Sequence, residues 1–282
     1  MPQRTDVIYE YDGTLDGLLC CVFESFEKDE EPMGIQPWGE PQGSFWPVRV
    51  IHTDQAKARR VWGALDKKIS PLAREVTVRS FLTCLPDKEM LILRFLRLGF
   101  RHGGRVTDML TDETVMTLTR AVKSLWMEVH HLYGFVRFSQ HNGALTGVIS
   151  PKNHVLPLLA NHFADRYPGE DFLLYDDIHK MALVHRRDGQ TDILPLDDFT
   201  PPEAEKDELY IRALWKAFHE AIGIESRRNP RCQMTMCPKR FWKHMAEMPD
   251  PGPGRRALRK LPPLPGEPEE SCHGQAAPAV LE

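Results

Sequence analysis

Two periods of apolar and polar residues run through the chain, and each stretch with a clear period predicts one element. Val7-Ile8-Tyr9-Glu10-Tyr11 is β-branched and aromatic, which predicts a short strand. Asp12-Gly13 turns it into a helix whose apolar positions, Leu15, Leu19, Val22 and Phe26, recur at helical spacing. Residues 29–47, rich in Pro, Gly and acid, read as a loop. Residues 48–52 form a second strand, and Thr53 or Asp54 caps a helix that opens QAKARRVWGAL. Helical periodicity returns at about 70–83 and 87–100. The opening is therefore β-α-β, followed by a helical section.

The longest predicted helix carries Val115, Leu118, Val122, Leu125, Val129 and Leu132, with Gly134 as its stop. Residues 135–140 and 144–149 make a hairpin across His141-Asn142-Gly143. Ser150-Pro151 opens the next helix, which bears Leu158, Leu159, His162 and Phe163. Residues 172–176, 181–185 and 192–196 read as a three-strand meander with Asp188-Gly189 at one turn. Thr200-Pro-Pro-Glu203 is a capping box that starts a helix striped by Tyr210, Leu214, Phe218 and Ile222. The expected class is α+β: small mixed sheets, a predominantly helical middle and a C-terminal helical segment. The boundaries are 1–100 for an α/β and helical region and 101–248 for an α+β region, which can be continuous with the first. The Pro-rich segment 249–282 has too few apolar residues to offset its ordering entropy and reads as a disordered tail.

Composition narrows the class. At 282 residues the chain has room for an ample core, and its net charge of −4 does not suggest a protein coated in nucleic acid. No run of about 18 apolar residues is present and the first residues are too polar for a signal peptide, so the expectation is a cytoplasmic protein with no membrane contact. Six cysteines include adjacent, apolar Cys20 and Cys21 and an isolated Cys232-x4-Cys237, which is not a zinc-site spacing. The three-cysteine run of a radical-chemistry iron–sulfur cluster is missing, as are GxGxxG, GxxxxGK[ST] and GxSxG. No metal site and no resident cofactor are expected.

Three groups of residues carry candidate chemistry. The segment 226–244, SRRNPRCQMTMCPKRFWKH, holds Arg227, Arg228, Arg231, Lys239, Arg240 and Lys243 without one acidic residue, and interleaves Phe241 and Trp242. Cations attract phosphate and aromatic faces stack on unpaired bases, so this mixture suits a nucleic-acid groove. Its plain structural alternative is a solvated cationic face with Trp242 in the core. His162, Asp165 and Arg166 share one helix face, where a carboxylate can orient an imidazole and the Arg can hold an anion. A helix-end ion pair beside a satisfied histidine explains the same residues. Glu128, His130 and His131 lie together with no complete ligand set, and Arg137 points away from Val136 and Phe138 as an anion ligand or a surface charge.

The stretches YEYDGTLDGLLCCVFESF, QAKARRVWGAL, EVHHLYGFVRF, ISPKNHVLPLLANHFADRYPGEDFLLYD and LWKAFHEAIGIESRRNPRCQMTMCPKRFWKHMAE together resemble a bacterial family associated with DNA metabolism and DNA repair. They occur in family order over most of residues 7–247, and Cys237 stands where the family has Met before Pro238. The resemblance implies linkage to a radical-SAM protein of DNA modification or repair, and kinship with a domain fused to uracil-DNA-glycosylase-like domains. It supplies no catalytic residues. The expectation is a DNA-binding accessory protein, not catalytic alone, whose partners are DNA and the radical-SAM enzyme. The iron–sulfur cluster and S-adenosylmethionine belong to that partner. The alternatives are a nuclease or glycosylase using His162, Asp165, Arg166 or Glu128, and a protein-interaction scaffold.

Overall fold

The computed structural model describes residues 3–39, 45–197, 199–200 and 206–248. It is an α+β protein whose chain divides into two compact units, Met1–Leu132 with Pro151–Leu159, and Tyr133–Ser150 with Ala160–Glu282. Among the described residues no helix is long and apolar enough to cross a membrane. Residues 201–203 of the expected capping box and the tail 249–282 lie outside the described residues.

The first unit is built on a parallel sheet of order β2-β1-β3, from β1 (Gln3–Tyr11), β2 (Glu30–Pro37) and β3 (Val48–Val50). Strand β2 corrects the reading of 29–47 as an unbroken loop. It lies at the sheet edge, where Pro32 and Gly34 are tolerated because one side needs no ladder partner. Helix α1 (Leu15–Glu27) is capped by the Thr14 hydroxyl and buries Leu18, Leu19 and Val22 against Tyr9 and Tyr11. Its close approach needs a glycine: a Cβ at Gly17 falls 2.2 Å from Asp12 Oδ1.

Helix α2 (Gln55–Ala64) is capped by Asp54, as its sequence implies, and runs into a π-helical turn at Leu65–Ile69. Then α3 (Pro71–Phe81) and α4 (Lys88–His102) complete the core, α4 contributing Ile92, Leu93, Phe95 and Leu96. Inside the sheet end, Glu30 meets Arg49 and the Tyr9 hydroxyl, while Tyr11 donates to Glu89 at 3.1 Å. Burial and these carboxylates push both tyrosines far above the usual phenol range.

Helix α5 (Glu113–Phe135) runs through Gly134 instead of stopping there. Helix α6 (Leu156–Arg166) starts five residues after Pro151, not at Ser150-Pro151. The reason is Glu128, a 1 % exposed carboxylate that takes the hydrogen bonds a helix start would otherwise leave open. It accepts from Lys152 N and Asn153 N, each at 3.0 Å, and from Asn153 Nδ2 at 2.6 Å. Asn153 Oδ1 in turn accepts from Cys84 N at 2.9 Å, so the segment is held as a loop.

The second unit holds a five-stranded sheet in sequence order: β4 (Phe138–His141), β5 (Ala144–Ile149), β6 (Phe172–Asp176), β7 (Met181–His185) and β8 (Thr191–Pro195). Asn142 and Gly143 both take positive φ, 49° and 80°, which gives the tight turn between β4 and β5 that Asn-Gly predicts. Strands β6, β7 and β8 form the predicted meander, and β5 meets β6 in the one parallel pairing of this sheet. Phe138, Phe163, Tyr167 and Phe172 pack edge to face beside it.

Glu128→Gln replaces an acceptor oxygen by an amide that faces N–H donors. It is expected to cost about 1–3 kcal/mol of stability, read as a lower urea midpoint at unchanged m-value. An unaltered midpoint shows that the loop is held without this carboxylate.

Candidate functional site

The carboxyl ends of β5 and β6 lie side by side, because parallel pairing sets Ile149 opposite Asp176. Beyond them the ladder gains one more bond, Asp177 N to Ile149 O at 3.0 Å. The next side chains, Ser150 from one strand and Asp177 from the other, therefore emerge together. The carboxyl ends of neighbouring parallel strands are where open α/β sheets place ligands.

The basic segment closes on this end. Its 3-10 turn, Lys239–His244, brings His244 Nε2 to 2.7 Å from Ser150 Oγ and Lys243 Nζ to 2.8 Å from Asp177 Oδ2. Burial, with Lys243 adding to it and Asp177 opposing, holds the His244 imidazole below its ordinary value. The Ser150 hydroxyl has one proton to give, to Asp177 or to His244 Nε2, and the tautomer of the ring decides which of the Ser150–His244 pair donates. Hydrogen bonds from Lys243 and Ser150 outweigh burial at Asp177 and keep its carboxyl below the usual range. Its neighbour Asp176 is spent on the turn into β7: it accepts from Ile178 N, His179 N and His179 Nδ1, the last at 2.6 Å.

One ion pair fastens the far side of the segment. Arg137 reaches Glu247, whose side chain is 3 % exposed, and also donates to Gly134 O and Val136 O. The pairing outweighs burial and lowers the Glu247 carboxyl. Phe241 is buried and packs on Phe135, with ring centroids 5.5 Å apart. Trp242 is half-buried, and its indole N–H donates to Cys237 O at 2.9 Å.

These contacts sort the sequence candidates. Arg227, Arg228 and Arg231 are exposed on the turn Glu225–Arg227 and on and around α8 (Pro230–Met236), with Arg228 near Glu225 at 3.4 Å. Lys239 and Arg240 are exposed on the 3-10 turn, Lys239 Nζ lying 6.0 Å from the Trp242 ring and Arg240 over the Phe241 ring. Lys243 and Arg137 are each engaged by a carboxylate.

His162 stacks on Tyr133 at 4.0 Å, and its Nε2 is buried without a hydrogen-bond partner. Burial and Arg166 lower its pKa, against Asp165. Asp165 and Arg166 themselves are exposed, with Arg166 turned to Tyr167. Glu128 is occupied in the first unit as described above. No group of three or more His, Cys, Asp or Glu that can hold a metal occurs among the described residues.

Ser150, Asp177 and His244 are not among the sequence candidates. Ser150 and His244 are 94 residues apart in the chain, and no local spacing links them. Only the parallel pairing of β5 with β6 brings Ser150 and Asp177 to one place.

The family described as a domain of unknown function, DUF4130, matches residues 86–247, more than half of the chain, and the chain belongs to that family. Neither a curated protein nor a solved structure matches it.

The depressed His244 pKa fixes the sign of a pH effect. The unfolded chain takes up this proton first, near the ordinary value of 6.5, so the stabilisation is complete above that value. It is lost as pH falls towards the lower folded value. Denaturant midpoints of the wild-type protein are expected to decline below pH 6.5 more steeply than those of His244→Gln. Parallel declines would show that the imidazole titrates alike in both states.

Proposed function

We propose that this member of the DUF4130 family is a DNA-binding accessory protein of DNA repair or modification, which presents DNA to a radical-SAM partner enzyme. The supporting observation is the exposure of Arg227, Arg228, Arg231, Lys239 and Arg240 along a segment that contains no acidic residue from 226 to 244. Cations displayed in this way neutralise phosphates and release counterions, whatever the base sequence. The net charge of −4 does not oppose this, since attraction to a backbone depends on the local cluster. The partner assignment rests on the sequence resemblance alone. Any iron–sulfur cluster and S-adenosylmethionine belong to that partner.

The contacts of the segment divide its residues by role. Lys243 fixes Asp177 and Arg137 fixes Glu247, so these two position the segment instead of meeting phosphate. Trp242 spends its indole N–H on its own turn and offers only the open part of its ring to a base.

One observation favours a second reading, an enzyme acting on DNA. Ser150 and His244 lie within the hydrogen-bond reach that a nucleophile and its base require, and the exposed cations Lys239 and Arg240 stand on the same short turn as His244. In that reading the pair replaces His162 and Glu128 as the centre of interest, and Ser150→Ala abolishes incision while DNA binding persists.

The decisive experiment is a salt titration of DNA affinity. Arg231, Lys239 and Arg240 changed together to Gln are expected to flatten the log–log slope by about two to three, roughly one for each phosphate left without its cation. Binding with an unaltered slope by a normally folded variant places the DNA surface elsewhere. Incision by the homogeneous wild-type protein, lost in Ser150→Ala, decides for the second reading.

A further inference from the structure

Helix α4 carries a row of arginines at helical spacing, Arg94, Arg97 and Arg101, and the last differs from the first two. Arg94 meets Glu31 at 2.9 Å, and Arg97 donates to Ser25 O at 2.9 Å and to the Ser25 hydroxyl at 2.6 Å. Arg101, one turn further on, is exposed and has no carboxylate partner among the described residues. The helix ends at His102. Gly103 then takes a φ of 63°, which suits glycine, and leads into the 3-10 turn Gly103–Asp108, which exposes Arg105.

This end meets the π-helical turn Leu65–Ile69 of the same unit. A Cβ at Gly103 would lie 3.8 Å from Lys68 O, and one at Gly104 would lie 3.3 Å from Ile69 O. Lys67 and Lys68 are both exposed on that turn. Lys67, Lys68, Arg101 and Arg105 thus all sit within two residues of the approach of Gly103 to Lys68, or about 8 Å of chain. The acids of the same turns leave them open: Asp66 is taken by Arg74 at 2.8 Å, and Asp108 lies at the far end of the 3-10 turn.

Helix ends by themselves attract cations, since the free carbonyls of each carry about half a negative charge. Two such ends and Asp108 account for about two of the four positive charges, and a surplus of about two remains. Like charges gathered in one place repel, and an arriving polyanion relieves that repulsion. A duplex offers one phosphate per about 3.4 Å of axis on each strand, so a patch reaching about 8 Å to either side faces about four of them. Arg101 and Arg105 present guanidinium forks that take two phosphate oxygens at once, while Lys67 and Lys68 act as point charges.

We propose that Lys67, Lys68, Arg101 and Arg105 form a second phosphate-backbone contact for duplex DNA, carried by the first unit and separate from the segment 226–244. The identity of the polyanion rests on the DNA reading; the surface rests on the charge of the first unit alone. It touches phosphate and not base edges, so it adds affinity without sequence preference.

The test uses the full chain and a short duplex. Lys67, Lys68, Arg101 and Arg105 changed together to Gln, with cooperative unfolding retained, are expected to flatten the log–log salt slope of affinity by about three to four. Lys67→Gln with Lys68→Gln, which leaves α4 untouched, flattens it by about two. Footprinting reads the same surface without a substitution: bound duplex is expected to shield Lys67 and Lys68 from acetylation. An unaltered slope in both variants, with the two lysines acetylated equally with and without DNA, overturns the proposal. If the Arg231, Lys239 and Arg240 variant flattens the slope in that same assay, the DNA reading stands without it. A wild-type chain that fails to bind the duplex yet binds polyglutamate through these four residues has an acidic-protein surface here, which overturns both.

Discussion

A carboxylate held almost wholly out of water needs strong donors around it, and Glu247 finds them in Arg137. That pair closes the last described turns of the chain onto the start of the second unit. Phe241 then rests on Phe135, Lys243 reaches Asp177 and His244 reaches Ser150. Without Arg137 the buried Glu247 carboxylate would lose its cation, a cost of about 3–5 kcal/mol. The geometry of the basic segment thus rests on one guanidinium well before it in the chain. The fork of Arg137 suits this role: it bonds two backbone carbonyls with the same group that holds the carboxylate, which an ammonium cannot do as rigidly.

Much of the fold is legible in the sequence where local rules act alone. Asp54 as a cap, the Asn142-Gly143 turn and the α5 stripe all emerge from spacing and backbone preference. The failures occur where a distant residue competes. Pro151 is a good helix opener, but Glu128 takes the nearby N–H groups, and α6 begins later. Strand β2 hides behind Pro32 and Gly34, which an edge strand whose ladder runs along β1 only can tolerate. Gly134 has no steric need to end a helix, and α5 continues through it.

The candidate site was legible as composition and illegible as geometry. A run of cations is visible in sequence, but which cations are already paired is not. Arg137 and Lys243 look equivalent to Arg231 and Lys239 until the carboxylates that hold them are seen. Asp177 and Ser150 carry no signal of their own, since each is simply the residue that follows a strand. Their meeting depends on β5 and β6 running parallel, a relation that no local pattern encodes.

Periodicity has a further limit, shown by α7 (Lys206–Ala221). The moment of a helix says that one face is apolar; it does not say what that face meets. The stripes of α4 and α7 look alike in sequence, and the outcomes are opposite: Ile92, Leu93, Phe95 and Leu96 lie in the core, while Leu214 and Phe218 stand in solvent. The difference lies in what is packed around them. A Cβ at Gly99 would sit 2.7 Å from Ile69 Cδ1, so α4 is drawn tightly onto its neighbours. Helix α7 is tied instead by polar side chains, Glu208 and Arg212, which hold it at the sheet edge without demanding close apolar contact. An apolar face held in place by polar bonds on another side stays out of the core, so the periodicity that marks it does not identify what it meets.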